Sequence, residues 1–316
     1  MLKPFRLPNA LTQLRFACLF IIAPSASTGA NLFSGQYNGF IIDSPLIPRS
    51  EIFHGGPPRD GIPSIDRPRF IPQQQAGYLS DNDRILGLQA GELYKAYPIR
   101  ILNWHEIVND GDILISYCPL CGTGMAFSSN NSNFGVSGLL YNSDMLLYDR
   151  QTLSLWSQIL GRAISGKLKG NYLKMLPLEH TSWLDWKIKH PDTLVLSDNT
   201  GFSRNYSNSP YGNYAQSLSL YFPISNKDRR YHPKEMVVGL QYKGHYKAYP
   251  FIELAKTKQP FFMDEIAGDK IEIRFSSRHR SANIYLESGE TVPSVTSYWF
   301  AWFAFHPDTE VYVFTQ

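Results

Sequence analysis

Residues 87–98 read GLQAGELYKAYP, and the outline of that stretch returns 152 residues later. Gly87-Leu88-Gln89 with Tyr94-Lys95-Ala96-Tyr97-Pro98 reappears as Gly239-Leu240-Gln241 with Tyr246-Lys247-Ala248-Tyr249-Pro250. So many identities in one register are a poor product of chance, and they mark a duplicated unit. Further out, His190-Pro191-Asp192-Thr193 returns as His306-Pro307-Asp308-Thr309, and Trp183 and Trp186 return as Trp299 and Trp302, all 116 residues on. We therefore expect two copies of one module, residues 84–200 and 237–316. The first is longer by 36 residues, placed between its YKAYP and its HPDT.

Each copy opens as a hairpin, Ile85 to Leu88 and Leu93 to Tyr97 in the first, with Gly91 in the turn. Pro98 suits the start of a helix running to about Ile107, because the first helical N–H has no partner anyway. After the turn signal Asn109-Asp110-Gly111, Ile113 to Tyr117 reads as a buried strand. Thr181 or Ser182 caps a second helix that Pro191 stops, and Leu194 to Ser197 reads as a strand. The insertion reads as three β segments: Gly135 to Tyr141, Met145 to Tyr148, and Leu155 to Ile164. The fold class expected is α+β, mainly antiparallel β with short helices, two pseudo-repeats packed into one compact unit.

At 316 residues, with 18% charged and 14% aromatic residues, the chain can bury a full core. Lys3, Arg6 and Arg15, then the apolar run Phe16 to Ala23, then small residues, follow the layout of a signal peptide over residues 1–30. That run is too short to span a bilayer, so export with no transmembrane helix in the mature chain is expected. Losing the leader removes three basic residues and no acids, which takes the formal charge from +3 to about zero. Such a chain offers no electrostatic footprint for nucleic acid. Residues 31–83 form a Gly/Pro-rich segment and 201–236 a polar, tyrosine-bearing crossover between the copies.

Only Cys118 and Cys121 remain outside the leader, in YCPLCG at 117–122. Aligning the copies sets Cys118 opposite Ser276, His105 opposite Asp264, and Glu106-Ile107 opposite Glu265-Ile266. Chemistry, on this reading, belongs to copy one. A thioredoxin-like dithiol needs a helix N-terminus, and Gly122-Thr123-Gly124 is a poor helix start. A Cys-Pro-x-Cys-Gly knuckle suits zinc, but a four-thiolate site needs a second cysteine pair. His105, 13 residues before Cys118, would complete a mixed site for copper or zinc. A structural disulfide, free thiols and metal ligands all remain open at this point.

Glu106 and Asp110 lie beside His105 in NWHEIVND and read first as a brace of the turn. Tyr148-Asp149-Arg150 offers a donor, a carboxylate and a cation, but neighbours in a strand face opposite ways, so at most two can share a pocket. Trp156 and Asp60 complete the set of candidates for a ligand-facing wall. No glycine-rich phosphate loop, nucleophile elbow or His-Glu-x-x-His helix is present.

Taken together, GGPPRDGIPSID, YKAYPIRILNWHEIVND, YCPLCGTGMAF, FGVSGLLYNSDMLLYDRQTLSLWSQ and HPDTLVLS resemble one family. It is the bacterial and archaeal domain of unknown function 3179, whose members are commonly exported. The resemblance covers nearly all the chain after about residue 45 and implies no activity, substrate or cofactor. Its hallmark residues match at His105, Glu106, Cys118, Cys121, Tyr148, Asp149, Arg150 and Trp156; Gly124-Met125 is a mild departure. Two functions compete. One is a transition-metal or thiol-redox pocket of Cys118, Cys121 and His105. The other is a non-catalytic envelope module that binds a small molecule, glycan or peptide, with the cysteines stapling a loop.

Overall fold

The computed structural model describes residues 36–315, so the leader expected over 1–30 lies outside the described residues. The chain first forms β1 (Gln36–Tyr37), β2 (Phe40–Ile41), β3 (Ile52–His54) and β4 (Phe70–Pro72). β5 (Arg84–Ala90) and β6 (Leu93–Pro98) make the expected hairpin, and α1 (Ile99–His105) follows Pro98. Glu106 then adopts φ 59° and ends that helix, so β7 (Ile107–Asp110) begins where helix and turn were expected. β8 (Ile113–Cys118) and β9 (Thr123–Ser128) form the next hairpin.

The insertion is β, with β10 (Phe134–Tyr141) and β11 (Asp144–Asp149) near the expected bounds, but the single segment expected from Leu155 to Ile164 is broken by a turn into β12 (Leu155–Ser157) and β13 (Arg162–Ser165). β14 (Met175–Leu176) and β15 (Glu179–Ser182) lead to α2 (Trp183–Lys189) and β16 (Leu194–Leu196). Ser182 caps α2 by accepting the Asp185 amide at 3.3 Å, which satisfies one of the unpaired N–H groups of the first turn.

Beyond the crossover come β17 (Met236–Tyr242), β18 (His245–Pro250), α3 (Phe251–Leu254), β19 (Phe261–Ile266), β20 (Asp269–Ser276) and β21 (Ser281–Leu286). The chain finishes with β22 (Thr291–Val292), β23 (Val295–Tyr298), α4 (Trp299–Phe305) and β24 (Glu310–Val311).

Antiparallel pairing dominates. One sheet runs β15-β5-β6-β16-β4 and another β23-β17-β18-β24, with β6–β16 and β18–β24 as parallel pairs. Smaller sheets run β14-β9-β8-β7 and β19-β20-β21-β22, and the insertion pairs as β13-β12-β11-β10-β3.

The recurring sequence motifs form recurring contacts. A Cβ on Gly87 would lie 2.3 Å from the Trp186 ring, and one on Gly239 would lie 2.2 Å from Trp302. Only glycine lets each indole lie flat on its strand. Trp186 Nε1 donates to Thr193 Oγ1 at 2.9 Å, and Trp302 Nε1 donates to Thr309 Oγ1 at 3.0 Å. His190 stacks on Tyr94 and His306 on Tyr246, with ring planes within 20° and 19° of parallel. GLQ, the tryptophans, YKAYP and HPDT are thus the parts of one packing unit.

A fourth contact differs from the alignment drawn from sequence. Asp110 Oδ2 accepts from Lys95 Nζ at 2.6 Å and from Tyr97 Oη at 2.7 Å. Asp264 Oδ2 meets Lys247 Nζ at 2.7 Å and Tyr249 Oη at 2.9 Å. Asp264 thus makes the contacts in its hairpin that Asp110 makes in its own, and His105 makes none of them. Asp110 pairs with Ile113, three residues on, while Asp264 pairs with Ile271, seven residues on, and the longer hairpin shifted the comparison. The match of Cys118 with Ser276 needs no such change, since Cys118↔Thr123 and Ser276↔Ser281 each close a hairpin around four residues.

Candidate metal centre

The CPLC segment is the turn between β8 and β9. Pro119 presets the turn, the Cys121 amide donates to the Cys118 carbonyl at 3.2 Å, and Gly122 takes φ 60°. Both thiols point into the core and are buried, and they are free rather than joined in a disulfide.

A second hairpin turn meets them. Asn142 and Ser143, both with positive φ (52° and 63°), form the two-residue connection of β10 and β11, the arrangement that matches strand twist. This turn delivers the Ser143 carbonyl to 3.3 Å from Cys121 Sγ and 3.9 Å from Cys118 Sγ. It also delivers Asp144. The two sulfur atoms and an Asp144 carboxylate oxygen all lie within 4.8 Å of one another, and all three residues are buried.

Asp144 Oδ2 accepts the Ile159 amide at 3.2 Å, and the carboxyl also interacts with the Met145 amide and with both thiols. Burial pushes the Asp144 carboxyl up to about 7. Burial also raises the Cys118 thiol, and raises the Cys121 thiol well above its ordinary value. Three acids held together in the core repel one another as anions, and a cation between them removes that cost.

His105 is not the third member. Its Nδ1 lies 2.8 Å from the Pro63 carbonyl and its Nε2 lies 2.7 Å from Tyr206 Oη, so both nitrogens are engaged elsewhere. Glu106 is the sequence candidate that does approach. It is buried at the end of α1, accepts from Tyr211 Oη at 2.6 Å, and is pushed up to about 7 by burial. With Leu120, Met145 and Tyr211 it lines a cavity of about 240 Å³, and Leu120 and Met145 adjoin Cys121 and Asp144 in the chain.

The remaining candidates stand apart. Asp110 is committed to Lys95 and Tyr97. Tyr148 and Arg150 share one face and both bind Asp60, Tyr148 Oη at 2.5 Å and the guanidinium at 3.1 and 3.2 Å. Asp149 faces the other way, accepting from the Thr152 amide at 2.7 Å and from Trp156 Nε1 at 3.1 Å. It holds the β11–β12 turn, while Trp156 packs in the same core as both cysteines.

Asp144 was missed because an Asp after Asn-Ser reads as ordinary turn polarity. The available signal was its place inside the block LLYNSDMLLYDR.

Over residues 59–291 the chain matches the family described as protein of unknown function (DUF3179). The chain belongs to the DUF3179 family. That span holds both hairpin turns of the site, so the thiol and carboxylate cluster of this DUF3179 protein lies wholly within the shared region. No curated protein and no solved structure matches it.

Proposed function

We propose that this protein binds one transition-metal ion, zinc in the first instance, through Cys118 Sγ, Cys121 Sγ and Asp144. The observation that carries the reading is the convergence of these three buried ligand atoms, the Asp144 carboxyl interacting directly with both thiols. Two thiolates on zinc at about 2.3 Å stand about 3.8 Å apart in a tetrahedral site, a spacing the observed cluster can reach by small rotations. Thiolates suit both zinc and copper(I), while the carboxylate favours zinc. The raised thiols speak against a redox dithiol, whose attacking sulfur must be a thiolate near neutral pH. Glu106 and its cavity stand beside the ligands, where a fourth ligand or a small molecule would enter.

The decisive experiment is elemental analysis and thiol titration on the same purified sample, with and without added zinc or copper(I). About one equivalent retained, and lost in Cys121→Ser, supports the site. No retained metal in the unaltered chain would sink it, most plainly if a disulfide is found instead.

The two-copy organisation belongs to the same proposal, with copy one at 84–200, crossover at 201–236 and copy two at 237–316. The paired Gly-Trp, Trp-Thr, His-Tyr and Lys-Asp contacts support it. Export is proposed from the leader's composition, and N-terminal sequencing of secreted material tests it.

A further inference from the structure

The cysteine turn also borders a second cavity, of about 280 Å³, lined by Arg84, Lys234, Arg280, His180, Tyr117 and Tyr298, with Gly122 in its wall. No carboxylate is among its lining residues. Lys234 is buried, its ammonium held by the Ser217 and Ser219 carbonyls at 2.6 and 2.7 Å and set 3.6 Å from the Tyr214 ring centre. Arg84 is fixed by the His279 carbonyl and, at 2.9 Å, by that of Arg280. These partners orient the cations without neutralising them.

The carboxylates closest in influence to Arg84 are Glu179 and Asp185, and both are already paired with Lys189, at 2.8 and 2.7 Å. Burial and the neighbouring Arg280 charge lower Arg84 to about 10, while Arg280 itself lies within electrostatic reach of Glu235, whose carboxylate also accepts the Ile252 amide at 2.9 Å. His180 is held neutral, lowered to about 3 by burial and by Arg84, so it adds no charge, and its Nε2 is set 3.2 Å from the Gly124 backbone. Tyr298, pushed up to about 12, stays a hydroxyl donor at neutral pH, and neither it nor Tyr117 has a side-chain hydrogen bond among the described residues.

We infer that this cavity binds the oxyanion of a small molecule, a carboxylate or a phosphate, with Arg84, Lys234 and Arg280 as its cations and the two tyrosine hydroxyls as donors. Its volume of about 280 Å³ admits a compact metabolite-sized ligand. Arginine and lysine together suit such a group, the guanidinium giving paired donors and the ammonium a point charge. The inference does not depend on metal at the thiol site. The shared wall would couple the two, because Tyr117 and Gly122 flank the same turn as the thiols.

The test titrates the full chain with inorganic phosphate and, separately, with succinate at constant ionic strength, followed by calorimetry and thermal unfolding. Saturable binding of either supports the site, and the tighter of the two names the headgroup. Arg280→Gln, an exposed position, should weaken binding at least tenfold with folding unchanged, and Lys234→Met should do the same if it folds. Absence of saturable binding by both anions, or equal binding by Arg280→Gln and the unaltered chain, would overturn the inference.

Discussion

The carbonyl of Cys121 accepts the backbone amide of Tyr298 at 2.8 Å, tying the cysteine turn to the strand that leads into α4. The Tyr298 ring fills the space where a side chain on Gly122 would project, and a Cβ there would lie 2.9 Å from it. Gly122 also holds φ 60°, which other residues adopt at a cost. Gly122→Ala should therefore destabilise the chain by about 2–4 kcal/mol, from overpacking and backbone strain together. Chemical denaturation checks this, and a change under about 0.5 kcal/mol would show that the turn relaxes freely.

Asp144→Asn separates ligand from scaffold. The amide oxygen can still accept from Ile159, and the uncharged group escapes the burial cost that raises the carboxyl to about 7. Metal-free stability should hold or rise, while zinc affinity falls at least about tenfold. Zinc at a hundredfold excess over its Kd should stabilise the unaltered chain by about 2.7 kcal/mol. Binding should weaken as pH falls, because the buried thiols must lose protons to bind.

Gly87→Ala and Gly239→Ala make a matched pair. Each places a methyl group inside an indole ring, and neither ring is free to leave because its Nε1 is tied to a threonine. Both variants should lose about 1–3 kcal/mol or more. A large loss in one and none in the other would argue against equivalent packing.

His306 supplies a pH dependence that can be isolated. It is buried against Trp302 and Tyr246, and burial lowers it from 6.5 to about 4. The unfolded chain thus binds the proton first as pH falls, so the contribution is full above about 6.5 and is lost on descending toward 4. Replacing it with phenylalanine removes that titration. The stability of His306→Phe relative to the unaltered chain should improve by about 2–3 kcal/mol between pH 7.5 and 4. A constant difference across that range would show that His306 titrates normally.

The repeat of GLQ, YKAYP, the tryptophans and HPDT made the elements legible, because a hairpin, a capped helix and a stacked indole are specified by residues close in sequence. Two cysteines around a proline likewise announced a tight turn. The third residue beside them was not legible. His105 stood near in sequence, yet Pro63 and Tyr206 take both its nitrogens, one from a loop 42 residues back and one from the crossover. Asp144 arrives on a different hairpin, and nothing local distinguishes it from a solvent-facing turn residue. Sequence by itself determined the periodicity, the turns and the candidate thiols, which depend on short-range sterics and patterning. Tertiary structure decided which side chains share a buried volume, because burial and the approach of groups remote in sequence exist only once distant hairpins pack together.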